Sequence, residues 1–308
     1  MGVNNLYYLG GILLPSGTLI SQINSGTPAT NTDGLTGYAS GLPYPLFRSI
    51  RAQQPDVPFT SPAVGSILTE ILTSGTYYAL GLSSSNTDLF YRQGQNLGFR
   101  YADGASQHER LRMTRGLLFW QTISATHRQD AEISCRIIAA YDGTNAAIQQ
   151  VGTGTLSGTP AASEFYTLGP VKLGGSWLGG EQSWSLASGL QPEQVGAAGE
   201  TADSFIGAKM TDDIATINFI GKPWAGYGIS GSAITSIILY LRRKTVDGHN
   251  VPDATASHIK ITSAYGQILP ESADGGGNDP ATSTLRLALR AANSASVPIA
   301  ITVGSAIT

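Results

Sequence analysis

The feature that most limits how this chain can fold is that it aligns with itself. Displaced by 150 positions, Leu89-Phe90-Tyr91-Arg92 falls on Leu239-Tyr240-Leu241-Arg242, and Cys135-Arg136-Ile137 falls on Leu285-Arg286-Leu287. Under the same shift Asp103 and His108 fall on Asp253 and His258, Leu111 and Met113 on Ile261 and Ser263, and Gly116 on Gly266. A shift of 152 matches Val151-Gly152 with Val303-Gly304, and one of 159 sets Leu6-Tyr7-Tyr8-Leu9-Gly10 against Phe165-Tyr166-Thr167-Leu168-Gly169. Each match is short, but all run in one order, which predicts two similar units in tandem. The small, polar run 152–163 has the composition of a linker, so the units are expected at 1–158 and 159–308. The first carries 9 basic and 9 acidic residues and the second 9 and 12, which implies one fold with two surfaces.

Within a unit the apolar pattern alternates. Ile237, Leu239 and Leu241 do so, as do Leu285, Leu287 and Leu289, then Val297, Ile299, Ile301 and Val303. Leu111/Met113 and Ile133/Cys135/Ile137 keep the same phase in the first unit, with Arg112, Arg136 and Arg286 on the opposite face. Period two with one dry face predicts antiparallel strands. The openings 6–14 and 165–173 also read as strands. One helix is expected per unit. In the first, Ser61 caps, Pro62 takes the first position, and Ile67, Leu68, Ile71 and Leu72 follow at helical spacing up to Gly75. In the second, Thr211 is the cap, Asp212 and Asp213 sit at the positive end of the dipole, and Ile214, Ile217 and Phe219 precede Gly221. The polar, Gly/Pro-rich segments 16–58 and 174–208 read as long arms. The expected fold is mainly β: two tandem antiparallel β-sandwich or barrel domains, each with one packed α-helix and a long arm.

Composition excludes several classes of function. Charged residues make up 13% of the chain and Gly numbers 38, which suits tight turns and surfaces covered by neighbours. A net charge of −3 gives no reason for strong nucleic-acid binding, and Arg242-Arg243-Lys244 is too short a cluster to change that. Lone Cys135 rules out an intrachain disulfide and a Cys-rich zinc site, and its alternation in phase with Ile133 and Ile137 makes it a small core residue. No apolar run approaches the roughly 18 residues of a membrane span, and the opening residues lack a basic leader region. The expected setting is soluble, with synthesis in the cytoplasm.

Asp103/His108 and Asp253/His258 are the candidate chemical pairs. They read either as twin acid–base or metal pairs, or as histidines at strand entrances bonded to a turn carboxylate or carbonyl. Duplication copies structural residues as readily as catalytic ones, and the structural reading is preferred. His127 and His249 lie in polar loops. Nucleophile elbows, the Walker pattern at Gly221-Lys222-Pro223 and EF-hand spacing at 274–279 are absent, so neither an enzyme nor a cofactor is expected. Trp177 and Trp184, in Gly-rich sequence, suit a subunit contact better than a sugar-stacking platform, while Trp120 and Trp224 read as core.

A duplicated β unit with long arms, low charge and no catalytic constellation resembles the tail tube (major tail) proteins of tailed bacteriophages. The stretch from Leu89 to Gly116, with Leu-Phe-Tyr-Arg, Asp103 and His108, is also similar to phage structural proteins of this kind. The resemblance implies a virion protein in a fused two-unit version, self-associating as a homotrimer that serves as a pseudo-hexameric ring. Such rings stack into a filament, contact other tail proteins, and enclose a lumen through which DNA passes without specific binding. The segments 16–58 and 174–208 would then be inter-ring or inter-subunit contacts. Other readings are a capsid or capsid-decorating protein, and a carbohydrate- or receptor-binding tail module.

Overall fold

The computed structural model describes residues 7–38, 40–41, 43–45, 47–74, 77–82, 87–93, 108–154, 164–200, 202–220, 232–269, 273–274 and 282–308. The first half runs β1 (Tyr7–Leu13), β2 (Leu19–Ile20), β3 (Ser25–Gly26), β4 (Thr32–Gly37), β5 (Phe47–Gln53), β6 (Asp56–Ser61), α1 (Val64–Ser74), β7 (Ala79–Leu82), β8 (Thr87–Gln93), β9 (His108–Met113), β10 (Gly116–Thr126), β11 (Glu132–Ala139) and β12 (Gln149–Gly154). The second runs β13 (Phe165–Leu173), β14 (Ser176–Trp177), β15 (Glu181–Ala187), β16 (Leu190–Val195), β17 (Phe205–Met210), β18 (Asp213–Ile220), β19 (Ala233–Lys244), β20 (His258–Leu269), β21 (Ala273–Asp274), β22 (Thr282–Arg290) and β23 (Ala300–Ser305). The protein is mainly β, and among the described residues the paired strands run antiparallel.

One five-stranded sheet has the order β12-β9-β8-β1-β2, and the order β23-β20-β19-β13-β14 appears inside a 14-stranded sheet. The registers recur as well. Leu89 opposite Leu111 becomes Leu239 opposite Ile261, both members 150 residues on. Leu9 opposite Tyr91 becomes Leu168 opposite Leu241, and each of those strand pairs slips by a bulge just beyond the leucine. Gly152 and Gly304 both hold positive φ, a conformation that a β-carbon makes costly. The 14-stranded sheet crosses residue 158, because β10 pairs with β15, and one hydrophobic cluster contains residues from both halves. No closed barrel forms among the described residues, so that form of the expected fold is not observed.

α1 forms where its sequence signals placed it, although it begins at Val64, two residues beyond Pro62. The Ser61 hydroxyl accepts from the Ala63 N–H at 3.1 Å, and Ile67, Leu68 and Ile71 are fully buried against the sheets. Burying three such side chains stabilises the fold by roughly 1.5–3 kcal/mol each. The second expected helix is not observed: residues 213–220 form strand β18. Alternate residues Ala215, Ile217 and Phe219 are buried, and β18 lies between β15 and β22 with both edges paired. β-branched Ile214, Thr216, Ile217 and Ile220 favour that geometry, which outweighs the cap-like Thr211-Asp212. Nor are the long polar segments structureless. The first contains the hairpin β4–β5 and the second β16–β17, each a separate two-stranded sheet.

Candidate assembly surface

A two-stranded ribbon cannot bury both faces by itself, so its exposed apolar residues are the candidates for contact. In the ribbon β16–β17, cross-strand partners Leu190/Met210, Pro192/Ala208 and Gln194/Ile206 share one face, and Leu190 and Ile206 pack on the core. The other face carries the pair Val195/Phe205, which are 62% and 59% exposed. At the tip of the ribbon β4–β5, Tyr38 and Tyr44 are 68% and 59% exposed. Solvation of so many large apolar side chains is unfavourable by about 25 cal/mol per Å2.

The contact between the two halves shows how these elements engage a neighbour. β15 lies along the outer edge of β10, with Ile123 opposite Leu186 and Ala125 opposite Trp184. The tip of the β16–β17 ribbon docks at the base of the β4–β5 ribbon: Ala202 bridges to Gln53, the Asp203 carboxylate accepts from Gln54 Nε2 at 2.8 Å, and its carbonyl accepts from the Tyr141 N–H at 3.0 Å. The Tyr78 hydroxyl donates to the buried carboxylate of Asp213, which also accepts from the Gly189 N–H at 2.8 Å. Burial raises the Asp213 carboxyl above its ordinary value, and burial together with that hydrogen bond raises the Tyr78 phenol. Before β13, Glu164 accepts from the Ser66 N–H at 3.0 Å and its hydroxyl at 2.8 Å, inside the first turn of α1. Burial and the nearby Glu164 push Tyr166 up to about 12.

His108 and His258 are buried at the starts of β9 and β20. His258 Nδ1 accepts from the Arg243 N–H at 3.0 Å, so Nε2 carries the proton and donates to the Pro252 carbonyl at 3.1 Å. Asp253 turns elsewhere, pairing with Arg242 at 3.0 Å. Asp103, like Trp224 and 221–223, lies outside the described residues. Among the described residues no group of His, Cys, Asp and Glu is placed to hold a metal ion. Cys135 is buried, which raises its thiol pKa and suppresses the thiolate.

The two tryptophans do not form one platform. Trp177 is 46% exposed, with the Lys172 ammonium 5.0 Å above its ring and Tyr240 6.1 Å away. Trp184 is buried, its indole N–H donating to the Tyr240 carbonyl at 3.3 Å, and it belongs to the contact between halves. Trp120 is in the core, stacked on Tyr78 at 5.9 Å. Two of the opposite-face arginines find carboxylates: Arg112 grips buried Asp88 through two bonds of 2.7 and 2.9 Å, and Arg136 binds Asp56 at 2.7 Å. Each of these hydrogen bonds raises its arginine's pKa. Sequence reasoning named the arms but missed Tyr38, Tyr44, Val195, Phe205 and Met210; aromatic or long apolar residues within otherwise polar stretches were the available signal.

No protein-family model matches the chain, and no curated protein matches it.

Proposed function

We propose that this chain is a virion structural protein, a tail tube subunit made of two copies of one β unit. In this reading three chains supply six units to a ring, and stacked rings enclose a channel for DNA. The observation that carries it is the pair of separate β-ribbons, one in each half, that leave Tyr38, Tyr44, Val195 and Phe205 exposed in a chain with 13% charged residues. Ribbons of that kind suit a protein whose surface is covered by copies of itself. The recurring strand orders and registers support two equivalent units, and equivalent units are what a ring of alternating seats requires. A net charge of −3 without a long basic run suits a lumen along which DNA slides.

Electron microscopy of the concentrated, purified protein tests this. Tubes with a central channel are the expected result. Isolated trimers would replace the tube with a capsid-decorating role, and monomers at every concentration would end the assembly reading.

A further inference from the structure

The contact between the two halves is built once within the chain, yet the parts for building it a second time are present and, among the described residues, uncovered. β10 and β11 pair through Ile123/Ile133 and Ser124/Glu132; the same positions 150 residues on are Ala273/Ser283 and Asp274/Thr282, so β21 takes the place of the C-terminal half of β10. β3 pairs with β6 through Ser25/Thr60 and Gly26/Phe59; the matching pairs 158 residues on are Ser183/Asn218 and Trp184/Ile217, so β3 takes the place of β15. Within the chain the outer edges of β10 and β15 cover each other. Among the described residues nothing pairs with the outer edge of β21 or of β3. The ribbons correspond too. β4–β5 connects β3 to β6 as β16–β17 connects β15 to β18, and their base pairs are Thr32/Gln53 and Leu190/Met210. The β16–β17 tip is docked beside Gln53. Among the described residues no bridge docks the β4–β5 tip, which holds Tyr38 and Tyr44, and Met210, in the position equivalent to Gln53, is 45% exposed.

We propose that a second copy of this chain docks head to tail on the first by repeating this internal contact: β3 of one copy along β21 of the next, and the Tyr38/Tyr44 ribbon tip at the next copy's Met210. Carrying over the register of β10 and β15 sets Thr27 opposite Asp274 and Pro28 opposite Ala273. The interface is heterologous, each copy giving one surface and accepting on another, so it closes a ring or propagates. Pro28 brings no N–H where Leu186 does, which makes the edge pairing one bond poorer than the internal one and leaves the ribbon tip to anchor it. The inference rests on the two-unit part of the proposed function and not on the tube.

Complementation in sedimentation velocity is the test. Tyr38→Ser with Tyr44→Ser removes the giving surface, and Met210→Asp removes the accepting one; these side chains are well exposed, and circular dichroism verifies the fold. Each variant alone is expected to weaken self-association by roughly tenfold or more. Mixed, they retain one intact contact and form a dimer that grows no further. Wild-type assembly by either variant, or a mixture that stays monomeric, overturns the proposal. The register is read by Thr27→Cys with Asp274→Cys. These positions form a non-hydrogen-bonded pair with Cα atoms about 4.5 Å apart, within disulfide reach. Oxidation is expected to give reducible ladders, whereas wild type, with Cys135 buried, gives none; an assembled sample that does not cross-link overturns the edge pairing. Oligomers that obey these rules but never stack leave this interface standing and remove the tube. Tubes that persist with Tyr38 and Tyr44 replaced do the reverse.

Discussion

Tyr78 and Asp213 lie in different halves of the chain, and the tyrosine hydroxyl donates a hydrogen bond to the aspartate carboxylate inside the protein. Together with the Gly189 N–H, that bond is what makes a buried carboxylate tolerable. Asp213→Ala leaves the phenol and the amide unsatisfied and is expected to cost roughly 2–4 kcal/mol, against about 1.5–3 for Tyr78→Phe. Urea unfolding measures both. Because burial raises the folded-state Asp213 value above its ordinary 3.8, its contribution to stability is fully present below that value and is lost as pH rises through the higher folded value. Asp213→Asn should flatten that part of the pH–stability curve; a variant with an unchanged curve would show that Asp213 titrates normally.

The two tryptophans give a sharp contrast. Trp184→Ala empties a buried site between β10 and β18 and is expected to cost about 3–5 kcal/mol. Trp177→Ala, at the exposed end of β14, should stay within about 0.5 kcal/mol. Thermal unfolding of the two variants side by side checks this, and equal losses would contradict the assignment.

Gly65 is set by a close approach. A β-carbon there would collide with Glu164 Oε1 and sit 2.8 Å from the Tyr166 hydroxyl. Gly65→Ala gains about 1 kcal/mol of helix propensity but expels Glu164 from the first turn of α1. The net change is expected to be a loss of roughly 1–2 kcal/mol. In the Glu164→Ala background the loss should shrink, while the Tyr166 hydroxyl still crowds the β-carbon. A double-mutant cycle reads the Glu164 share directly.

At His258 the hydrogen bonds dictate the tautomer. Nitrogen-15 spectra should show the proton on Nε2, and His258→Ala should cost roughly 1–3 kcal/mol by leaving the Arg243 N–H and Pro252 carbonyl unpaired. A ring protonated on Nδ1 would contradict the geometry.

Much of the local structure was legible. Alternation in 237–241, 285–289 and 133–137 marked β19, β22 and β11, and the Ser61-Pro62 signal marked α1. Residues 211–219 misled because caps and acidic residues before a hydrophobic run also describe a turn entering a strand. The deciding fact is the pairing of β18 on both edges, which a local pattern does not contain. Trp184 read as a subunit-contact residue for the same reason: its Gly-rich flanks are visible in sequence, whereas the strand that covers it is 59 positions away at Ala125. The arm residues Val195 and Phe205 became visible only once their hairpin register put them on the outer face.

By itself the sequence determined the strand phases, the capped helix and the offset at which the chain matches itself, because side-chain alternation and local capping are written in neighbouring residues. Only the tertiary structure decided which strand edges meet: that β10 takes β15, that one sheet crosses from half to half, and that among the described residues β3 and β21 are left over. Period two states which face of a strand is dry. It does not state which backbone will hydrogen-bond along the edge, since every strand offers the same N–H and C=O groups.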